Sequence, residues 1–89
     1  MATYMVGYDL NKPLQNYKDL IDALESYDLW WHYLDSTWII VTTDIPSQIR
    51  DNLAQYLDDN DELLVAQISP PAAWHGFNDR ASEWLKKNL

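Results

Sequence analysis

The stretch DLWWHYLDSTWIIV, residues 28–41, constrains the fold of this chain more than any other. Leu29–Leu34 and Thr37–Thr43 are rich in aromatic and β-branched residues, and Asp35-Ser36 between them is turn chemistry, so they read as the two strands of a hairpin. No glycine stands at the turn, which leaves a bulge within one bent strand pair as the alternative. Side chains alternate along a strand, sending Trp31 and Tyr33 to one face and Trp30, His32 and Leu34 to the other. Both faces of this strand are therefore apolar. A sheet with helices on one side needs only one such face. The second aromatic set must be covered by a further helix, a second copy of the chain or a ligand, because a large exposed apolar patch usually marks an interface.

The remaining segments supply the rest of a small α+β domain. Thr3–Leu10 alternates, with Tyr4, Val6 and Tyr8 on one face and Met5, Gly7 and Asp9 on the other, and reads as the first strand. Asn11-Lys12-Pro13 breaks it, and Asn16 is placed to cap a helix whose stripe is Tyr17, Leu20, Ile21, Leu24 and Tyr27. After the hairpin, Pro46 opens a second helix with Ile45, Ile49, Leu53, Tyr56 and Leu57 on one face. Asp58-Asp59-Asn60-Asp61 ends it, and the acidic run Asp58, Asp59, Asp61 and Glu62 reads as a solvated helix end, with weak cation binding as the alternative. Leu63–Ile68 is the fourth strand, stopped by Pro70-Pro71. Asn78 caps a last helix with Phe77, Ala81, Trp84 and Leu85 inward and Lys86 and Lys87 at its favoured C-terminal end.

The order β-α-β-β-α-β is the ferredoxin-like arrangement, a four-stranded antiparallel sheet with two helices on one face. Residues 1–89 form a single domain on this reading, with 78–88 as an appended C-terminal helix. At this length folding hides only roughly 60 to 65% of the unfolded surface. Five Trp, six Tyr and one Phe compensate, each removing roughly 150 to 250 Å² from water when buried.

Charge and cysteine usage exclude several function classes. Fourteen acidic against six basic residues give a formal charge of −8, which repels polyanions unless basic residues cluster. Arg50, Arg80, Lys86 and Lys87 are scattered over helices, so the aromatics read as core or interface before they read as a base-stacking platform. Without cysteine there is no disulfide and no thiolate metal site, which fits a reducing compartment. No apolar run approaches the ~20 residues of a membrane helix, and the N-terminal MATYMVGYDL is unlike a signal peptide. The expected address is the cytoplasm.

Several strings resemble known families. Tyr8-Asp9-Leu10, Asp35-Ser36-Thr37-Trp38, and Asn60-Asp61-Glu62-Leu63-Leu64-Val65 running into Pro70-Pro71 resemble the CRISPR-associated spacer-acquisition endonucleases and the related virulence-associated D ribonuclease toxins. GYDLNKP and WWHYLDSTWIIV are similar to short bacterial proteins labelled SinR family. The resemblance spans residues 3 to about 71. It implies a ferredoxin-like protomer, a homodimer, and an Asp at the end of the first strand facing its symmetry mate to hold a divalent metal, Mg²⁺ or Mn²⁺. That position is Asp9; Ser36 and Thr37 match the neighbouring turn, and Trp38 matches the aromatic after it. Two features depart from the family pattern. Near the first strand only Lys12 and Lys18 are basic, and the helix from Asn78 stands where those dimers often exchange a strand.

The candidate chemistry follows. Asp9 is a metal ligand and catalytic carboxylate if each subunit supplies one, since Mg²⁺ sites use one or two carboxylates with water and substrate phosphate. Otherwise it ends a strand and bonds the turn amides. Ser36 is the second catalytic candidate. His32 suits a general base or an interface residue, and His75 lies beside Trp74 in a loop where a site is possible. Trp30, His32, Leu34 and Trp38 are the candidate dimer interface. Three functions remain: a divalent-metal-dependent nuclease or a degenerate relative acting on or near nucleic acid; a non-enzymatic acidic interaction or regulatory module, either a protein-binding adaptor or an acidic mimic of nucleic acid; and a small-molecule sensor on the same fold.

Overall fold

The structure, a computed structural model, describes residues 1–11 and 17–89. The elements run β1 (Ala2–Asp9), α1 (Lys18–Glu25), β2 (Leu29–Leu34), β3 (Thr37–Thr42), α2 (Pro46–Ala54), β4 (Glu62–Gln67) and α3 (Asp79–Asn88). The strands form one sheet in the order β2-β3-β1-β4, every neighbour antiparallel, as expected for a ferredoxin-like α+β domain. Among the described residues no helix is long and apolar enough to cross a membrane.

Strand periodicity sorts the apolar side chains into two cores. Tyr4 and Val6 of β1 with Trp38 and Ile40 of β3 meet Leu20 and Leu24 of α1 and Ile49 and Leu53 of α2 on one face. On the other face Trp31 and Ile39 pack against Ala81 and Leu85 of α3, with Phe77, Trp74 and Trp84 around them. The second aromatic set is thus covered by the chain's own last helix. The Trp31 indole N–H, buried with its ring, donates to the Ala81 carbonyl at 3.2 Å and ties α3 to the sheet. The Thr3 hydroxyl donates to the Asn88 carbonyl at 2.9 Å at the helix's far end.

Helix ends follow local chemistry. The Asn78 side chain accepts from the Ala81 N–H at 2.8 Å, the expected N-cap of α3. Before it Gly76 has φ 87°, a left-handed conformation that a residue with Cβ adopts only with strain. Pro46 starts α2, where its missing N–H costs nothing. Gln48 accepts from the Ile45 N–H at 3.0 Å, so Ile45 is the residue preceding the helix. It stands exposed instead of on the buried stripe expected for it. The expected cap Asn16 and the break at Lys12-Pro13 lie outside the described residues.

Three further expectations are corrected. The hairpin turns at Asp35-Ser36, yet the register shifts by one residue between Trp31, opposite Ile39, and Leu34, opposite Thr37. This bulge turns Leu34 onto the face of Trp31, away from Trp30 and His32, because an extra residue breaks the period of two. Trp38, expected at an interface, is fully buried among β1, β3, α1 and α2. Asp61 is not a merely solvated charge. Its carboxylate accepts from the Asn11 N–H at 2.9 Å, the Tyr17 hydroxyl at 3.1 Å and the Asp58 N–H at 2.9 Å, joining three segments.

Tyr27, after α1, accepts a hydrogen bond from the Asn52 side chain at 3.0 Å. Burial pushes its phenol up from the ordinary value, although the Asn52 bond pulls the other way. Both states are protonated below pH about 10, so the stability tied to the neutral phenol is whole there and is lost as pH rises through the higher folded value. Tyr27→Phe should therefore show a shallower fall of the urea midpoint than the parent between about pH 9 and 11. Equal slopes would show that this phenol does not couple to folding.

Candidate functional site

The antiparallel register assembles one end of the sheet from β1, β4 and the hairpin turn. Asp9 is exposed at the tip of β1 and stands opposite Glu62 of β4. The Ser36 carbonyl accepts from the Tyr8 N–H at 3.0 Å, which holds the turn beside the same tip. The fold therefore brings Asp9 and Ser36 to one end of the sheet, and adds Glu62. Glu62, which the sequence groups with the acidic run after α2, stands here as the first residue of β4. Among the described residues no three His, Asp or Glu side chains gather closely enough to hold a metal. Asp9 and Glu62 supply two exposed carboxylates, so a bound Mg²⁺ or Mn²⁺ would have to complete its shell with water and substrate phosphate.

The other candidates lie elsewhere. His32 stacks on Trp38, centroids 3.9 Å apart and planes 13° from parallel, with Trp30 tilted at 5.3 Å. Its Nε2 lies 3.1 Å from the Asp35 carbonyl, which only accepts, so Nε2 carries the proton and the ring braces the turn. Trp30 is 40% exposed at the open edge of β2, while Leu34 faces the opposite side. The four candidate interface residues therefore form no single patch.

What the second face does form is a groove. Its floor is Met5, Trp31, Leu34, Thr37 and Ile39; residues 69–77 strap over it, and Leu85 and Leu89 close one side. The cavity measures about 420 Å³. Thr37, Ser69 and His75 are the polar residues of its lining, and all its other residues are apolar. The Trp74 indole N–H donates to the Ser82 hydroxyl at 3.1 Å and pins the strap to α3. His75, a loop candidate from the sequence, is at this site; Asp9 and Ser36 are at the sheet end next to it.

The groove runs out onto that sheet end. Gly7 follows Met5 on the same face and pairs with Thr37 on one side and Leu64 on the other. A methyl at Gly7 would meet no atom within 4 Å, so the surface above it is open. Leu64 beside it is 59% exposed. Beyond lie Asp9 and Glu62.

The sequence marks the loop from Pro70 to Gly76 as a possible site through His75, but does not show that it folds back over the sheet. One signal was present: no charged residue stands between Glu62 and Asp79. A connection of that length without charge packs against something, since exposed loops are normally polar. Compared with protein-family models, curated proteins and solved structures, the chain finds no match in any of the three.

Proposed function

We propose that this protein is a non-enzymatic interaction module that takes an apolar segment of a protein partner into the groove between the sheet, the 69–77 strap and α3. The single observation that carries the reading is that groove, apolar nearly throughout and open toward a bare stretch of sheet. Its lining offers three polar residues in scattered positions. A small polar metabolite needs several convergent partners, whereas apolar side chains of a peptide need mainly a dry, shaped surface.

Thr37→Trp, which fills the groove from its floor, provides the test. A labelled, uncharged leucine-rich peptide should bind the parent saturably at one site and bind T37W about tenfold or more weakly, at similar thermal midpoints. Equal binding to both proteins would remove the groove from the function.

A second reading, a divalent-metal-dependent endonuclease acting through Asp9 with Ser36, is favoured by one observation: Asp9, Glu62 and the Ser36 turn share one end of the sheet. Parent and Asp9→Asn proteins, incubated with DNA and RNA oligonucleotides under Mg²⁺ or Mn²⁺, separate the two. The interaction reading expects indistinguishable traces. Cleavage by the parent that falls on the order of 100-fold or more in D9N would establish the enzyme instead.

A further inference from the structure

We infer that the segment received by the groove is basic: its apolar side chains enter the groove while a Lys or Arg beside them crosses Gly7 and sits on Asp9 and Glu62. This rests on the groove reading above and adds the partner's charge and direction. Like charges directly opposite each other on neighbouring strands are unfavourable, and Asp9 and Glu62 are such a pair. The ion pairs Lys18–Asp22, Arg50–Asp51 and Lys86–Glu83 each lie within one helix and involve neither Asp9 nor Glu62. Arg80 and Lys87 line a separate hollow on the other flank of α3, with Leu29 and Trp84. No cation of the described chain is therefore set against the two carboxylates.

The spacing suits an extended segment. From Met5 in the groove to Asp9 at the tip is four strand residues, roughly 13 Å, the span of four residues of a second extended chain. The backbone at Gly7 between them carries no side chain to obstruct it. A net charge of −8 draws a cationic partner from a distance and opposes a second copy of the chain in the same place.

Three labelled peptides with one leucine-rich core and either two lysines, two serines or two glutamates at one end test this by fluorescence anisotropy. The lysine peptide should bind the parent about tenfold or more tightly than the serine peptide, and the glutamate peptide most weakly. Asp9→Asn/Glu62→Gln should erase the lysine advantage and leave the serine peptide unchanged, and about 0.5 M NaCl should do the same. Equal affinity for lysine and serine peptides would overturn the inference and leave the groove reading standing. A lysine advantage that survives D9N/E62Q would also overturn it, assigning the effect to overall charge. If no peptide binds the parent, both readings fall. If the parent self-associates and D9N/E62Q changes that association, the occupant is a second copy and the inference fails.

Discussion

Truncating Trp38 to alanine should remove about 3 to 5 kcal/mol of stability, a large share of the roughly 5 to 13 kcal/mol that a chain of this length holds. Trp38 is fully buried at the centre of the first core, against α1 and α2. Its loss opens a cavity beneath His32 and Trp30, which lean on its ring. It also frees the Tyr8 hydroxyl, which accepts the indole N–H at 3.0 Å. Trp38→Phe keeps an aromatic plane for the imidazole and loses mainly that hydrogen bond, so its cost should be smaller, about 1 to 2 kcal/mol. Urea unfolding followed by circular dichroism measures both. A W38A protein within about 1 kcal/mol of the parent would show that the cavity collapses and the stack carries little.

Placing a carboxylate at Leu85 should detach α3 from the sheet. Leu85 and Ala81 are buried against Trp31 and Ile39, and an unpaired charge there costs several kcal/mol if the helix stays docked. Undocking α3 is the cheaper response, because it hydrates the charge and leaves the first core intact. Leu85→Asp should therefore keep most of its sheet signal while its tryptophan emission shifts to the red and it binds a dye specific for exposed apolar surface. The neutral peptide should no longer bind, since α3 closes one side of the groove. An L85D protein with parental emission and thermal midpoint would mean that the helix contributes little to covering this face.

The architecture was legible in the sequence because each element carries its own period and boundary. Alternation in TYMVGYDL, the stripe of Leu20 and Leu24, Pro46 ahead of Ile49 and Asn78 ahead of Ala81 each determine a local choice, and the sheet order follows once two strand-helix-strand units interleave. Placement across a bulge was not legible. Trp31 and Leu34 share a face only because the ladder slips a residue, and a strict period of two assigns them to opposite sides. Nor could composition say which of two aromatic sets is core. The pattern offers Trp30, His32, Leu34 and Trp38 alike as interface, whereas burial falls on Trp38 and exposure on Trp30 at the edge. The site was half legible. Asp9 and Ser36 do meet at one sheet end, but the groove depends on where a chargeless loop folds back, and that is a tertiary fact.

The position of β2 at the outer edge of the sheet has a consequence for how copies of this protein meet. Its six residues, LWWHYL, contain none of the lysines or prolines that commonly blunt an edge strand. They are bracketed instead by Asp28 and Asp35. Two copies aligned head to tail about the midpoint between Trp31 and His32 would set Asp28 of each against Asp35 of the other, twice over by symmetry. In that pairing the bookend carboxylates would repel each other, so this aromatic edge would resist the addition of a twin strand.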